Sequence, residues 1–149
     1  MSAALSGGVA CWKMSAMLNL LLVDDDAVDV MTVKRGLAKA GIAHQLTEAA
    51  DGLEALRVLR DGAMPAARRL VLLDLNMPRM NGLEFLRALR ADPQLASTPV
   101  VVLTTSAHEN DRREAHRLHC AGYFVKPLEF ATFVELLGVI DRYWSQVQF

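Results

Sequence analysis

Three consecutive carboxylates, Asp24, Asp25 and Asp26, follow the apolar segment 18–23. Like charges about 4 Å apart near a protein surface repel by roughly 4 kcal/mol, so this cluster needs a compensating positive charge. Two or three carboxylates around a small pocket provide the oxygen ligands that a hard cation such as Mg²⁺ prefers. The stretch therefore indicates a divalent-cation site, with Asp26 suited to cap the following helix and Asp29 to lie in its first turn.

Three further apolar segments run into a residue that can act on phosphate or metal. Asp74 follows "RLVLL", Thr104 ends "PVVVLT", and Lys126 follows "GYFV". A carboxylate can attack a phosphoryl group, a hydroxyl can donate to its oxygens, and an ammonium can bind them as a point charge. Each residue alone has an ordinary explanation as a helix cap, a strand residue or a solvated lysine. Together they favour phosphoryl chemistry.

Five apolar or β-prone segments alternate with segments of helical periodicity, and this alternation decides whether these residues meet. We predict strands at 18–23, 44–49, 69–75, 99–105 and 122–125, with the fourth helix at about 109–119 and the fifth at about 129–146. Gly41 and Gly62 are expected to end the first two helices. The pattern predicts an α/β fold with a parallel sheet, helices on both sides, and ligands bound at the carboxyl ends of the strands.

Bulk properties restrict the class of protein. The 149 residues, 52% hydrophobic and 22% charged, suit one globular domain, and a net charge of −1 gives no electrostatic basis for binding nucleic acid. Cys11 and Cys120 show no pairing pattern, which is typical of a reducing cytoplasm. Residues 1–17 resemble neither a signal peptide nor a membrane span. We therefore expect a flexible extension over 1–17, a folded domain over 18–149 and a cytoplasmic location.

Four motifs carry a family resemblance: "VDDD", "LLDLNMPRMNG", "VVLTTS" and "GYFVKP". Over about residues 18–144 the chain resembles a response-regulator receiver domain, the fold of the bacterial chemotaxis regulator. The spacings from Asp74 to Thr104 and from Thr104 to Lys126 match the family pattern, whereas "RDGAMPAARR" before the third strand has a few extra residues. The resemblance implies a doubly wound, flavodoxin-like sheet of five parallel strands in the order 2-1-3-4-5.

The same resemblance implies a phosphoacceptor and a metal site. Asp74 corresponds to the phosphoacceptor and is also a Mg²⁺ ligand, with Asp25 as a direct ligand and Asp24 acting mostly through water. Asn76 would offer its backbone carbonyl to the metal. Asn76 and Ser106 are also expected to tune the rate at which water removes the phosphoryl group.

Further roles follow from the resemblance at the fourth and fifth strands. Thr104 and Lys126 correspond to the pair that contacts the phosphoryl group, and Thr104 and Tyr123 to the residues that switch on phosphorylation. The Lys126–Pro127 peptide bond is expected to be cis.

We therefore expect a single-domain response regulator of a two-component system rather than an enzyme. Its partner would be a sensor histidine kinase, and its output a change in the face made by the fourth helix, fifth strand and fifth helix. "LTTS", "DRYW" and the insertion resemble small receivers that partner bacteriophytochrome kinases. The alternatives are a Mg²⁺-dependent phosphohydrolase, a flavodoxin-like binder and an unphosphorylated pseudo-receiver scaffold.

The last predicted helix carries two apolar stripes, although a helix on the outside of a domain needs only one buried stripe. The stripe expected to cover the sheet consists of Phe130, Phe133, Leu137, Ile140 and Trp144. The second stripe is either a broader core face or an exposed surface for a homodimer through the fourth and fifth helices. It consists of Leu136, Val139, Tyr143 and Val147.

The fourth predicted helix has two sets of polar residues with weaker signals. The first set could form a zinc site but lacks a fourth spaced ligand, so surface residues are the simpler interpretation. It consists of His108, His116, His119 and Cys120. Arg112, Arg113 and Arg117 are expected to form a solvated face.

Overall fold

The computed structural model describes the backbone of residues 17–146 and the side chains of residues 17–144. The strands in this range are β1 (Leu18–Val23), β2 (His44–Ala49), β3 (Arg69–Leu73), β4 (Val100–Thr104) and β5 (Gly122–Val125). The helices are α1 (Ala27–Lys39), α2 (Gly52–Arg60), α3 (Gly82–Ala91), α4 (Glu109–Arg117) and α5 (Phe130–Gln146). Apart from Met17, the predicted extension lies outside the described residues, as do Cys11 and Val147. No helix in the described range is long and apolar enough to cross a membrane.

All five strands pair in parallel in the order β2-β1-β3-β4-β5, which confirms the doubly wound, flavodoxin-like sheet. β1 and β4 are buried along their whole length, as their continuous apolar sequences predict. β2 and β5 form the edges and are partly exposed. Because β3 ends at Leu73, two residues earlier than predicted, Asp74 lies just beyond the strand.

Side chains that alternate along the strands build two cores, one on each face of the sheet. Leu20 and Leu72 belong to the core that packs against α1 and α5. Leu21 and Leu73 belong to the opposite core, which packs against α2, α3 and α4. Full burial of one such leucine contributes about 1.5–3 kcal/mol. Burial on both faces therefore fixes the strand ends that carry the site.

The ends of the first helices follow the predicted capping. Asp26 is the N-cap of α1, and its Oδ1 accepts the N–H groups of Val28 at 2.8 Å and Asp29 at 3.4 Å. Gly41 and Gly62 adopt left-handed backbone conformations shortly after α1 and α2 end, with φ of 70° and 67°. Glycine tolerates this conformation because it has no Cβ.

One stripe of α5 covers the sheet as predicted, except at its first residue. Its buried members are Phe133, Leu137, Ile140 and Trp144. Phe130 was expected on this stripe, but its side chain is 43% exposed, so that prediction is wrong. Phe130 begins the helix, ahead of Phe133, the first member of the stripe that reaches the core.

Candidate functional site

Backbone hydrogen bonds at the carboxyl edge of the sheet fix the positions of the predicted site residues. The Asp74 N–H donates to the carbonyl of Val23 at 2.9 Å, so β1 and β3 end side by side. The Lys126 N–H donates to the carbonyl of Thr104 at 2.7 Å, which joins the ends of β4 and β5 in the same way. Residues that are distant in sequence therefore meet at one edge, as the alternation of strands and helices predicts.

Three aspartates at this edge form a compact set of oxygen donors. Asp24, Asp25 and Asp74 each place one carboxylate oxygen within 4.8 Å of the others. Asp24 and Asp74 are buried, whereas Asp25 is exposed. Burial raises the pKa of both Asp24 and Asp74, although the neighbouring Lys126 and backbone N–H groups act to lower it. Three hard oxygen donors with one open side fit a divalent cation that keeps part of its water shell.

Lys126 contributes a positive charge to the same set of carboxylates. Its Nζ donates to Oδ2 of Asp24 and to Oδ2 of Asp29, both at 2.9 Å, and lies 3.9 Å from Oδ2 of Asp74. Burial lowers the pKa of the ammonium, but the hydrogen bonds and charges of the three carboxylates outweigh burial and raise it. An ammonium has three N–H donors, so one remains for an oxygen bound near Asp74.

Asp29 is a site residue that the sequence assigned only to the first turn of α1. Its carboxylate accepts a hydrogen bond from Lys126, which lies 97 residues away along the chain. The available signal was that α1 begins directly at the carboxyl edge, so its first turn borders the pocket. An acid in the first turn interacts favourably with the helix dipole whether or not it also has a lysine partner. Sequence alone therefore could not show the contact.

The residues after β4 connect the buried Thr104 to α4 and β5. Thr104 is fully buried, and its side chain acts to lower the pKa of Asp74, in opposition to burial. The Ser106 N–H donates to Oγ1 of Thr104 at 3.2 Å, and the Tyr123 hydroxyl donates to the Ser106 carbonyl at 2.9 Å. Oγ of Ser106 donates to Oδ2 of Asp111 at 2.7 Å. A change at Thr104 therefore has a direct route to α4 and β5.

The loop between β3 and α3 folds closely against Asp74. The Asn76 N–H donates to Oδ1 of Asp74 at 3.4 Å, and the Gly82 N–H donates to the Leu75 carbonyl at 3.0 Å. A Cβ on Gly82 would lie 2.5 Å from the backbone oxygen of Asp74. Only glycine allows α3 to begin this close to the acid.

The peptide bond between Lys126 and Pro127 is trans, so the expected cis bond is wrong. A trans X–Pro bond is favoured by about 0.5–1 kcal/mol when nothing constrains it. Lys126 reaches both Asp24 and Asp29 with the bond in this form.

The polar residues around α4 form separate pairs. Cys120 Sγ and His116 Nδ1 lie 3.8 Å apart. Within residues 17–146, the three aspartates are the only group of three or more histidine, cysteine or acidic residues close enough to hold a metal. The arginines are exposed and pair with glutamates of α4, Arg112 and Arg113 with Glu109 and Arg117 with Glu114.

The second stripe of α5 is divided between the core and the surface. Leu136 packs against the core on the α1 side of the sheet. Val139 and Tyr143 are 48% and 59% exposed, and Val147 lies outside the described residues. Leu136 therefore belongs to the core, whereas Val139 and Tyr143 are the members of this stripe that are exposed within the described residues.

The sequence model of the response regulator receiver domain matches residues 20–138. The chain belongs to this family. Response regulator Rcp1 of Synechocystis sp. is 35% identical to it over 130 residues, which cover 85% of this chain and 88% of Rcp1.

Two solved structures share the receiver fold, and one of them is a phytochrome response regulator. The phosphorylated cyanobacterial phytochrome response regulator RcpA has a TM-score of 0.76 and 33% identity, covering 87% of this chain and 95% of RcpA. The Mn²⁺-bound form of Rcp1 has a TM-score of 0.75 and 33% identity, covering 89% of this chain and 97% of Rcp1. The receiver is thus similar to proteins solved in phosphorylated and in metal-bound form.

Proposed function

We propose that this receiver accepts a phosphoryl group from a sensor histidine kinase onto the Asp74 carboxylate. The observation that carries the proposal is the convergence of Asp74 with a second buried acid, a buried hydroxyl and a charged ammonium, supplied by Asp24, Thr104 and Lys126. RcpA in its phosphorylated form and Rcp1 with bound Mn²⁺ support the same chemistry for this chain.

Asp74 acts as the nucleophile in the transfer. Its carboxylate oxygen forms a bond to phosphorus while the bond from phosphorus to the imidazole nitrogen of a kinase phosphohistidine breaks, and the electron pair leaves with that nitrogen. Because both the carboxylate and the phosphoryl group are anionic, positive charge at the site lowers the barrier. Lys126 Nζ, 3.9 Å from the carboxylate, supplies such a charge.

The donor set fits Mg²⁺ as the resident cation. Asp25 and Asp74, the Asn76 carbonyl, and Asp24 through water would hold it, and its charge would stabilise the phosphoryl oxygens during transfer. Asn76 follows Asp74 by two residues, and Ser106 follows Thr104 by two residues. Both border the Asp74 carboxylate, where they set the access of water to the phosphorylated aspartate.

The output follows from the hydrogen bonds around Thr104. Once Asp74 carries a phosphoryl group, the Thr104 hydroxyl turns toward the new acceptor oxygens. Ser106 follows through its bond to Thr104, and both the Tyr123 hydroxyl and Asp111 lose their present geometry. The face made by α4, β5 and α5 changes as a result.

We propose a phytochrome-type histidine kinase as the partner and a homodimer as the assembly. The kinase assignment rests on the likeness to the cyanobacterial phytochrome response regulator RcpA. The dimer rests on the exposed apolar side chains of Val139 and Tyr143 on α5, a helix of the output face. A monomer in sedimentation at high micromolar concentration would contradict the dimer without affecting the phosphoryl chemistry.

The residues at the site do not favour a phosphohydrolase, a flavodoxin-like binder or a scaffold without phosphorylation. Asp74 is followed by Leu75 and Asn76, so the second aspartate expected of a phosphohydrolase nucleophile is missing. Three aspartates stand where a flavodoxin-like binder would have a phosphate loop. The acids, hydroxyl and ammonium are all present, which argues against a scaffold without phosphorylation.

Phosphorylation of wild type and Asp74→Asn tests the proposal directly. Both proteins are incubated with Mg²⁺ and acetyl phosphate, and separately with a phosphorylated phytochrome-type histidine kinase. Intact mass should increase by one phosphoryl group in the wild type only, and chelation of Mg²⁺ should abolish the increase. Equal incorporation in Asp74→Asn would refute Asp74 as the acceptor.

A further inference from the structure

The tip of the loop between β3 and α3 is attached to the start of α2. Arg79, at this tip, donates from Nε to Oδ2 of Asp51 at 2.7 Å, and its Nη2 bonds the same oxygen. Asp51 is also the N-cap of α2, and its Oδ1 accepts the Glu54 N–H at 2.9 Å. Asp51 therefore uses one oxygen for its helix and the other for the loop.

A backbone contact next to this ion pair strengthens the attachment. The Gly52 N–H donates to the Met80 carbonyl at 3.2 Å, and a Cβ on Gly52 would lie 2.7 Å from the Met80 side chain. Arg79 itself has φ of 62°, a left-handed conformation that side-chain-bearing residues disfavour. The chain adopts this conformation where the guanidinium reaches Asp51, which indicates that the pair selects the shape of the loop.

We propose that Arg79 and Asp51 are positioning residues for the cation site. The loop is closed at its base by the bond from Gly82 to Leu75, and the pair fixes its tip. Between these two points lies Asn76, whose backbone is already bonded to Asp74. Fixing both ends keeps the Asn76 carbonyl available to a cation held by the aspartates. The inference rests on the proposed function and deepens it.

Charge alone and loop positioning predict opposite changes in metal affinity when Arg79 is removed, which makes the inference testable. Arg79 is a cation in the same loop as Asn76, which contacts Asp74, so removing its charge should tighten metal binding if only Coulomb repulsion matters. If Arg79 acts by positioning the loop, removing it should weaken metal binding. The sign of the change therefore separates the two explanations.

The experiment is Mn²⁺ titration of the full chain by calorimetry, with Arg79→Asn as the main variant. Asparagine tolerates the left-handed conformation better than most residues, so the change removes the guanidinium with little added strain. We expect the Kd for Mn²⁺ to rise about tenfold, as for other residues that orient metal ligands. Arg79→Lys should lie between the wild type and Arg79→Asn.

Arg87→Asn is the matched control, because it removes the same charge from a surface pair with Glu114 on α4. Its Kd for Mn²⁺ should equal that of the wild type. Far-UV circular dichroism and thermal unfolding without metal establish that every variant titrated is folded.

Asp51→Asn breaks the same pair from its other end. Because losing a carboxylate weakens cation binding by charge alone, this variant is informative together with the double variant. Asparagine keeps an N-cap acceptor for α2 but loses the ion pair, so it should weaken Mn²⁺ binding to a similar degree. The double variant with Arg79→Asn should be no weaker than either single variant, because both remove one contact.

An affinity in Arg79→Asn equal to or higher than that of the wild type would overturn this inference alone. If the wild type itself binds no Mn²⁺ and Asp74 is not phosphorylated, the proposed function fails and the inference fails with it. A decrease confined to Arg79→Asn and Asp51→Asn supports the positioning role.

Discussion

The two helices that border the site, α1 and α4, are held in different ways. Asp26 caps the start of α1, and Asp29 in the first turn of this helix accepts a hydrogen bond from Lys126. The N-cap of α4 is His108, whose side chain makes no capping hydrogen bond. α4 buries only Ala115 among its described residues, whereas α1 buries four residues, Val30, Val33, Gly36 and Leu37.

The two ends of α4 also differ from each other. The two residues after its C-terminal end, Leu118 and His119, are held by α3, because Arg90 donates to their carbonyls at 2.8 Å and 3.0 Å. The N-terminal end of α4 is linked to the site by the bond from Ser106 to Asp111. Elements with few buried contacts open at low free-energy cost. The fixed α1 side therefore suits ion binding, and the N-terminal end of α4 suits signalling.

Lys126→Met tests the fixed side and should have the largest effect. It leaves the buried carboxylate of Asp24 without its partner, so we expect the free energy of unfolding at pH 7 to fall by about 3 kcal/mol in urea titrations with EDTA. Saturating Mg²⁺ should stabilise the variant more than the wild type, because a bound cation replaces the lost charge. Lys34→Met, which breaks the exposed pair with Glu48, is the control and should cost less than about 1 kcal/mol. Equal losses of unfolding free energy in Lys126→Met and Lys34→Met would contradict the conclusion that Lys126 fixes the α1 side of the site.

Asp51 makes the start of α2 a second fixed point, and its contribution should depend on pH. The Glu54 N–H, together with Arg79, holds the pKa of Asp51 below its ordinary value of 3.8, against the effect of burial. The ionised form therefore stabilises the fold above that pH, and the contribution is lost as the pH falls through the folded-state pKa.

Urea unfolding of wild type and Asp51→Asn from pH 7 to pH 3 measures this contribution. The wild type should be more stable by a constant margin at neutral pH, and the margin should shrink below about pH 4. Comparing the pair isolates Asp51 from Asp24 and Asp74, whose raised pKa values act in the opposite direction. A margin that does not change down to pH 3 would rule out this role.

Residue types and spacing predicted the sheet, its carboxyl edge and the placement of the acids there. Those predictions depend on local periodicity and on the rule that parallel strands end together. The bonds from Lys126 to Asp29 and from Arg79 to Asp51 were not predictable, because each depends on how two segments that are distant in sequence meet in space. A charged residue in an exposed turn has the same local sequence pattern with or without such a partner.

The exposed part of α5 shows a second limit of the sequence. Periodicity marked both stripes as apolar but could not tell which residues the neighbouring elements cover. Leu136 is covered by the core, whereas Val139 is exposed. The trans bond before Pro127 is a third case, since a family resemblance was a weaker guide than the intrinsic preference of the bond.

Asp111→Ala tests whether the N-terminal end of α4 is weakly held. It removes the acceptor of the Ser106 hydroxyl, a hydrogen bond with a net contribution of about 1 kcal/mol. Amide hydrogen exchange should become faster over residues 108–113 and stay unchanged over α1. A matched change in both helices would show that α4 is not the more weakly held of the two.

The smallest effect is expected from a chain that begins at Met17. β1 starts at Leu18, and within residues 17–144 the side chains of β1 and the later elements build the cores on both faces of the sheet. We therefore propose that residues 1–16 are dispensable, with a change in the free energy of unfolding within about 0.5 kcal/mol. Labelling of Asp74 by acetyl phosphate should also be unchanged. A loss above about 1 kcal/mol, with α1 exchange faster than in the full chain, would show that the fixed side depends on this segment as well.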